Sequence, residues 1–366
     1  MNAILYVLFD FNHWFLCFLI FGTLQVVNTA LGIKAVERFA DLAAPIIIMI
    51  SAWMYLSLSE QAIAEGREVW NWIESPATGG AAVTAFIVVM MTNMGFWGTL
   101  AADMPSLSRF IKAPVHERNW WKRNRAQIAG NLVALPLTQT FMVMIGGVSY
   151  IAVKNYDPVI ALQEAASGIV LGILLLMIVF AQWSTNISAN LIPAATIYSN
   201  VGGPKFPFWA GVVAAGIIGS IVQPWSLFDI IIPALLLVGG VLSAIVGILF
   251  ADYYLLRRRR VHVHDLYQEE GQFRYLHGFN LAGFISWILG GGSAFFFPNY
   301  SFIIGFFVGC TSYYLLAKYW WFQQYKQAEM EDPDDAKYLG ITVGRFWKIA
   351  DAETLEGAAD IESKQT

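Results

Sequence analysis

Two long uncharged stretches, Gly168 to Phe180 and Ile230 to Ala251, constrain this chain more than any other feature. Apolar runs of roughly 20 residues match the thickness of a bilayer core. In hydrocarbon each backbone amide must find its partner inside its own segment, so a run of this kind forms a helix. Composition agrees with this reading. The 366 residues are 57% hydrophobic and 13% charged, where a soluble domain carries about 25% charged residues. Half that share leaves too little polar surface to cover a water-facing globule. Cys17 and Cys310 both lie in apolar segments and form neither a disulfide framework nor a metal-ligand spacing. The first residues lack a basic region, and Asp10 and His13 interrupt the apolar stretch, so the start does not read as a signal peptide.

The apolar pattern predicts nine spans, at 14–33, 39–58, 82–102, 127–152, 168–190, 207–226, 229–252, 279–297 and 301–320. Two loops are basic. One carries Arg109, Lys112, Arg118, Lys122, Arg123 and Arg125, and the other opens with Arg257, Arg258, Arg259 and Arg260. Between them, 59–81 sets Arg67 against Glu60, Glu65, Glu68 and Glu74, and 153–167 sets Lys154 against Asp157 and Glu164. The positive-inside rule then puts 104–126 and 256–278 in the cytoplasm, along with Lys34, Arg38 and Lys205. Nine spans with a cytoplasmic C-terminus leave the N-terminus outside. That parity, awkward for a fold of two matching halves, predicts further helices ahead of Met1. The expected organisation is a transmembrane domain over 1–325 and a polar cytoplasmic tail over 326–366 with little packed core. The protein is expected in the cell membrane (plasma or inner), multi-pass and in contact with lipid.

Function in such a chain shows as polar groups and broken helices at membrane depth. Thr92-Asn93-Met94-Gly95-Phe96-Trp97-Gly98-Thr99 is one such stretch, in the third span. Gly95 and Gly98 let a backbone open or let another helix approach closely, and the plain alternative is a packing face of small residues. The second stretch runs from Ala181 to Asn190 and is followed by Pro193. Gln182, Ser184, Thr185, Asn186, Ser188 and Asn190 are polar there, and none is charged. Neutral oxygens suit a monovalent cation such as Na⁺. Ala181, Ser184 and Thr185 share one helical face, offering a carbonyl and two hydroxyls. Asn186 and Asn190 lie four apart on a neighbouring face, and an amide that donates and accepts matches the edge of a uracil- or hydantoin-like ring. The plain alternative is that the hydroxyls bond back to their own helix. His262, His264 and Asp265 read as a solvated loop, Arg257–Arg260 as a topology anchor touching anionic lipid, and Thr138 and Gln139 as partners for a carbonyl freed at a Pro136 kink.

These stretches carry a family likeness. Gly95-Phe96-Trp97 followed by Asp103-Met104-Pro105-Ser106-Leu107-Ser108-Arg109-Phe110 resembles the sixth helix and next loop of the nucleobase:cation symporter-1 family, the hydantoin, allantoin, uracil and cytosine permeases. The usual loop reads Asn-Ile-Pro-Asp-Phe-Ser-Arg, from which Asp103, Met104, Ser106 and Leu107 depart. Trp183-Ser184-Thr185-Asn186 through Ala189-Asn190-Leu191 resembles the eighth helix. Asp252-Tyr253-Tyr254-Leu255, the four arginines and His264-Asp265-Leu266-Tyr267 are similar to the end of the tenth helix and its loop. The likeness runs in order over nearly the whole chain and is nearest to the hydantoin and allantoin permeases.

The resemblance implies an all-α, leucine-transporter-like five-plus-five inverted repeat followed by two more helices. On that map the nine spans are helices four to twelve, so the resemblance implies a truncated form lacking the first three helices, with a missing N-terminal fragment as a partner and Met1 at an internal position. It implies that Ala181, Ser184 and Thr185 are sodium ligands, that Trp97 stacks on the substrate ring with Phe96 beside it, and that Asn190 bonds the ring, with Asn186 next to it. Further ligands belong to the family's first and third helices, which have no counterpart here, so coupled transport by this chain alone is not expected. The implied activity is secondary symport of a nucleobase-like or hydantoin/allantoin-type heterocycle with Na⁺, H⁺ being the alternative ion, by alternating access, with no cofactor and no nucleic acid partner. A non-transporting membrane protein or interaction module is the rival reading. An intramembrane enzyme would need a nucleophile and base, or a metal set, inside the spans, and none is found.

Overall fold

The computed structural model describes residues 1–71, 77–111, 119–155, 157–222, 230–262, 264–268 and 270–331. Among these the chain is helical, with no strand and one isolated bridge between Leu276 and Phe279. The main helices are α1 (Asn2–Phe9), α2 (Trp14–Ala30), α3 (Ile33–Ala64), α4 (Gly79–Asp103), α5 (Arg125–Val153), α6 (Pro158–Ala165), α7 (Gly168–Gly202), α8 (Phe208–Val222), α9 (Ile231–Leu256), α10 (Leu281–Phe296) and α11 (Pro298–Gln324). By length and composition α3, α4, α5, α7, α9 and α11 can cross a membrane, and α2, α8 and α10 are shorter apolar helices. The nine expected spans fall on these nine helices. Glu74, Lys112, Arg118, residues 223–226 and 229 at the edges of two expected spans, and the tail from 332 lie outside the described residues.

Two expectations about helix length differ from the structure. Helix α3 runs well past both ends of 39–58, taking in Glu37, Arg38 and Glu60. Helical hydrogen bonding continues through charged turns, whereas hydropathy marks only the apolar middle. Helix α7 passes 190 and reaches Gly202. Pro193 has no N–H to give, and the helix absorbs it by widening to π geometry over Ile187–Leu191, where the Ile192 N–H bonds the Ile187 carbonyl. The same device precedes Pro136. Ala129–Ala134 is π, and the Leu135 N–H bonds the Gly130 carbonyl. Thr138 does not serve the carbonyl freed at Pro136. It bonds the Ala134 and Leu135 carbonyls at 2.8 and 3.0 Å.

The helices form two compact units. The first holds α1, α2, α3, α5, α6, α7 and α8. Its larger core sets Ile50, Met54 and Leu58 of α3 against Ile145 and Val148 of α5 and Leu171, Leu174 and Leu175 of α7. The spacings of three and four put each set on one helical face. Asp157 caps α6 by accepting from the Val159 N–H at 2.8 Å. Arg67 donates to the Ile151 and Ala152 carbonyls at 2.6 and 3.1 Å, closing the C-terminal end of α5.

The second unit holds α4, α9, α10 and α11, and small residues bring its helices together. A Cβ on Gly239 would lie 2.5 Å from the Gly95 Cα, one on Gly290 2.7 Å from the Ala244 Cβ, and one on Gly309 2.6 Å from the Ala244 carbonyl. Association in lipid depends on van der Waals contact, and absent side chains let backbones touch. Below α9 the arginine run turns inward at two of its four positions, since Arg257 is 2% exposed and Arg260 5%. Arg257 bonds Asp252 at 2.7 Å, Tyr275 at 2.9 Å, Gln327 at 2.8 Å and the buried Glu329. Burial alone would weaken the Arg257 charge, but Asp252, Tyr275 and Glu329 outweigh it and raise its pKa. Burial pushes the Tyr275 phenol up to about 12, with Arg257 pulling the other way. Residues 327–329 therefore pack, and the boundary drawn at 325 is crossed by an ion pair. Only Arg258 of the run is exposed and Arg259 partly so, which leaves little of the expected lipid anchor. His262 Nδ1 sits 3.1 Å from the Asp265 carboxylate.

Candidate functional site

The polar stretch of α7 is built around a buried stripe. Trp183, Ile187 and Leu191 follow at intervals of four. Ile187 and Leu191 pack with Val36 and Ile192 in a second core of the first unit. The Trp183 ring lies 4.9 Å from Phe39 of α3, and 5.7 Å and edge-on from Phe21 of α2. These contacts fix the rotation of α7, and with it the direction of every polar group beside the stripe.

On one side of the stripe are Ala181, Ser184 and Thr185. Ala181 and Ser184 are half-buried, and Thr185 is exposed. Several serines and threonines elsewhere in the chain bond back to their own helix, although the buried Ser199, Ser286 and Ser301 hydroxyls do not. Thr29 bonds back at 2.8 Å, Thr92 at 2.8 Å, Ser149 at 2.9 Å and Ser220 at 2.7 Å. Among the described residues neither the Ser184 nor the Thr185 hydroxyl makes such a bond. The back-bonding alternative thus fails at the two positions where it matters. Neither O–H is committed to a helix carbonyl, so both hydroxyls can turn their lone pairs to a ligand, and the Ala181 carbonyl keeps one lone pair beyond its helical bond.

On the other side are Asn186 and Asn190. Asn190 donates through Nδ2 to Asn186 Oδ1 at 2.6 Å, and Asn186 donates through Nδ2 to Gln25 Oε1 of α2. Gln25 is 4% exposed, while Asn190 is exposed. The three amides form a relay from the interior of the first unit to its surface. Asn190 sits inside the π-widened turn, a feature common at functional sites. Gln25 escapes a reading of the sequence because Gln25 and Asn28, three apart in the run Trp14–Ala30, make no recognisable motif. The one available signal is that an unpaired amide in hydrocarbon is costly and calls for a partner.

Phe96 and Trp97 belong to α4 in the second unit. Phe96 is 54% exposed and Trp97 half-buried, their rings edge to face with centroids 5.3 Å apart. Helix α4 stays unbroken through Gly95 and Gly98. Gly95 meets Leu235 and Gly239 of α9, and Gly98 meets the Phe302 ring of α11, so the glycine pair serves packing. Thr92 and Asn93 bond the Val88 and Val89 carbonyls of their own helix at 2.8 and 3.1 Å. The structure thus joins Asn186, Asn190 and Gln25 in one relay, places Ala181, Ser184 and Thr185 on the same helix, and pairs Phe96 with Trp97 on another unit. No group of three or more metal-ligating His, Cys, Asp or Glu occurs among the described residues.

Residues 11–321 match the family model described as a permease for cytosine/purines, uracil, thiamine and allantoin. The chain is 27% identical to the hydantoin permease of Microbacterium maritypicum, over 93% of this chain and 70% of that one. It is 27% identical to the purine-uracil permease NCS1 of Arabidopsis thaliana, over 75% and 46%, and 24% identical to the allantoin permease of Bacillus subtilis, over 75% and 56%. The chain spans less than two thirds of the length of these last two. Among solved structures it is similar to Mhp1, a nucleobase-cation-symport-1 family transporter, in a closed conformation with bromovinylhydantoin bound. The TM-score is 0.78 at 24% identity, covering 90% of this chain and 72% of that one. The inward-facing conformation of Mhp1 gives 0.73 at 23%, covering 93% and 73%. At these identities the likeness establishes the fold, which is all-helical and leucine-transporter-like.

Proposed function

Because the chain belongs to the family of permeases for cytosine/purines, uracil, thiamine and allantoin, whose members are transporters rather than enzymes, we propose that it moves a hydantoin-, allantoin- or nucleobase-like ring across the membrane together with Na⁺. The observation that carries this reading is the chemistry of α7. One helix presents two unbonded hydroxyls on one side of its buried stripe and an amide relay on the other. Hydroxyl and carbonyl oxygens are ligands for a monovalent cation, and an amide suits the edge of a flat heterocycle. In this reading Ala181, Ser184 and Thr185 hold the ion, and Asn190 with Asn186 bonds the ring edge. A helix that carries both ligand sets couples them, because ion and ring then favour the same placement of α7. Transport then follows by alternating access, with ion and ring together favouring one state over the other.

Uptake of radiolabelled hydantoin, allantoin, uracil and cytosine by cells making the protein tests the reading, with a sodium gradient, a proton gradient, or neither. Where the N-terminal helices implied by the resemblance are supplied, the expected result is uptake of at least one ring driven by sodium, with the apparent sodium affinity falling in Ser184→Ala and Thr185→Val. Uptake driven equally well by protons alone would remove the sodium assignment. Accumulation of no ring under any gradient would remove the transport assignment.

A further inference from the structure

We propose that Gln25 is a positioning residue that fixes which end of the Asn190 amide meets the ligand, so that the protein selects heterocycles offering a ring N–H at that point. The inference rests on the reading of Asn190 as a ligand-facing residue. Its own support is the direction of the relay. Gln25 lies on α2, 4% exposed, and its backbone carbonyl is held by the Thr29 hydroxyl at 2.8 Å. Its side-chain Oε1 accepts from Asn186 Nδ2. With the Asn186 donor engaged, Asn186 Oδ1 is left to accept, and it takes the Asn190 Nδ2 at 2.6 Å. One of the two Asn190 N–H groups is thereby spent inward, while its Oδ1 keeps both lone pairs for a donor. An oxygen with no N–H of its own to give can bond only a donor. A cyclic imide or amide N–H supplies one, and an N-methylated ring nitrogen does not.

Within the relay the sense of each amide is tied to that of the others, because flipping one alone would set N–H against N–H or oxygen against oxygen. All three would have to turn together, and a half-satisfied polar network is worse than none. The buried member controls the exposed one. Gln25 is packed in the interior, Asn186 lies between, and Asn190 is at the surface. This gives the buried Gln25 amide a role without any contact with the ligand.

The test is binding of hydantoin and its N1-methyl, N3-methyl and dimethyl derivatives to the purified full chain, followed by tryptophan fluorescence. The unsubstituted protein should prefer the best N–H ring over the dimethyl ring by about tenfold, the scale of one hydrogen bond. Gln25→Met, of similar volume and without an accepting amide oxygen, should lose most of that preference by weakening the N–H ring rather than by strengthening the methylated one. Gln25→Glu keeps an accepting oxygen and should retain the preference. Asn190→Ala should abolish it, and the double variant Gln25→Met/Asn190→Ala should bind like Asn190→Ala alone. Full preference in Gln25→Met, loss of it in Gln25→Glu, or additive effects in the double variant would each overturn the inference. Rings bound with no regard to Gln25 overturn this inference alone. No ring bound by the unsubstituted protein overturns the permease reading and this inference with it.

Discussion

At the scale of single residues, what matters is which polar groups are already satisfied. Thr92 and Asn93 look as promising in the sequence as Ser184 and Asn190, yet both bond back to their own helix. Ser184 and Thr185 do not, and Asn190 is tied on one end only. The density of uncharged polar residues from Gln182 to Asn190 was enough to mark the stretch. It could not reveal Gln25, whose importance comes from a partner 161 positions away in the chain. If Asn190 bonds the ring, Asn190→Ala should weaken ring binding by about 1–2 kcal/mol, read as a shift in Kd on titrating purified protein. An unchanged Kd with the protein still folded would remove Asn190 from the site.

At the scale of helices, close packing and backbone geometry decide what hydropathy cannot. Existence and order of the nine apolar helices were legible because lipid demands an apolar exterior and internal hydrogen bonds. The short α1 and α6 were not, since eight residues give little periodicity. Nor was the run of α7 to Gly202, because a proline reads as a stop unless the turn before it widens. The Gly95–Gly239 crossing of α4 and α9 makes a sharp prediction. A methyl at Gly95 would run into the Leu235 carbonyl, whereas one at Gly146 of α5 meets nothing within 4 Å. Gly95→Ala should therefore cost about 1–3 kcal/mol, the usual scale of overpacking, and Gly146→Ala should not. Heat-denaturation midpoints of the two variants in detergent separate them, and equal midpoints would refute the crossing.

At the scale of the whole molecule, two features bear on how the chain is held and oriented. The Arg257–Glu329 pair ties the residues after α11 to the loop after α9, with both side chains almost fully buried. Removing one partner strands a buried charge, so Glu329→Ala should cost about 3–5 kcal/mol. Glu331→Ala breaks an exposed pair with Lys326 at 3.0 Å and should cost about 0–1 kcal/mol. Chemical denaturation in detergent that moves both variants equally would contradict the buried pair. Orientation rests on the charge pattern. A cysteine at position 68 should react with an impermeant thiol reagent added to intact cells, and one at position 123 should not. The reverse pattern would invert the topology.

The sequence by itself determined the membrane class, the helix order and the α7 stretch, because each follows from composition or from spacing along one helix. Tertiary structure alone decided three things. It gave Gly95 and Gly98 to packing against α9 and α11. It turned Arg257 from a surface charge into the buried hub of a network with Asp252, Tyr275, Gln327 and Glu329. It joined Gln25 of α2 to Asn186 and Asn190 of α7. The physical reason is common to all three. A glycine, an arginine or a glutamine takes its role from the neighbour it meets, and those neighbours are brought close by helix packing rather than by position in the chain.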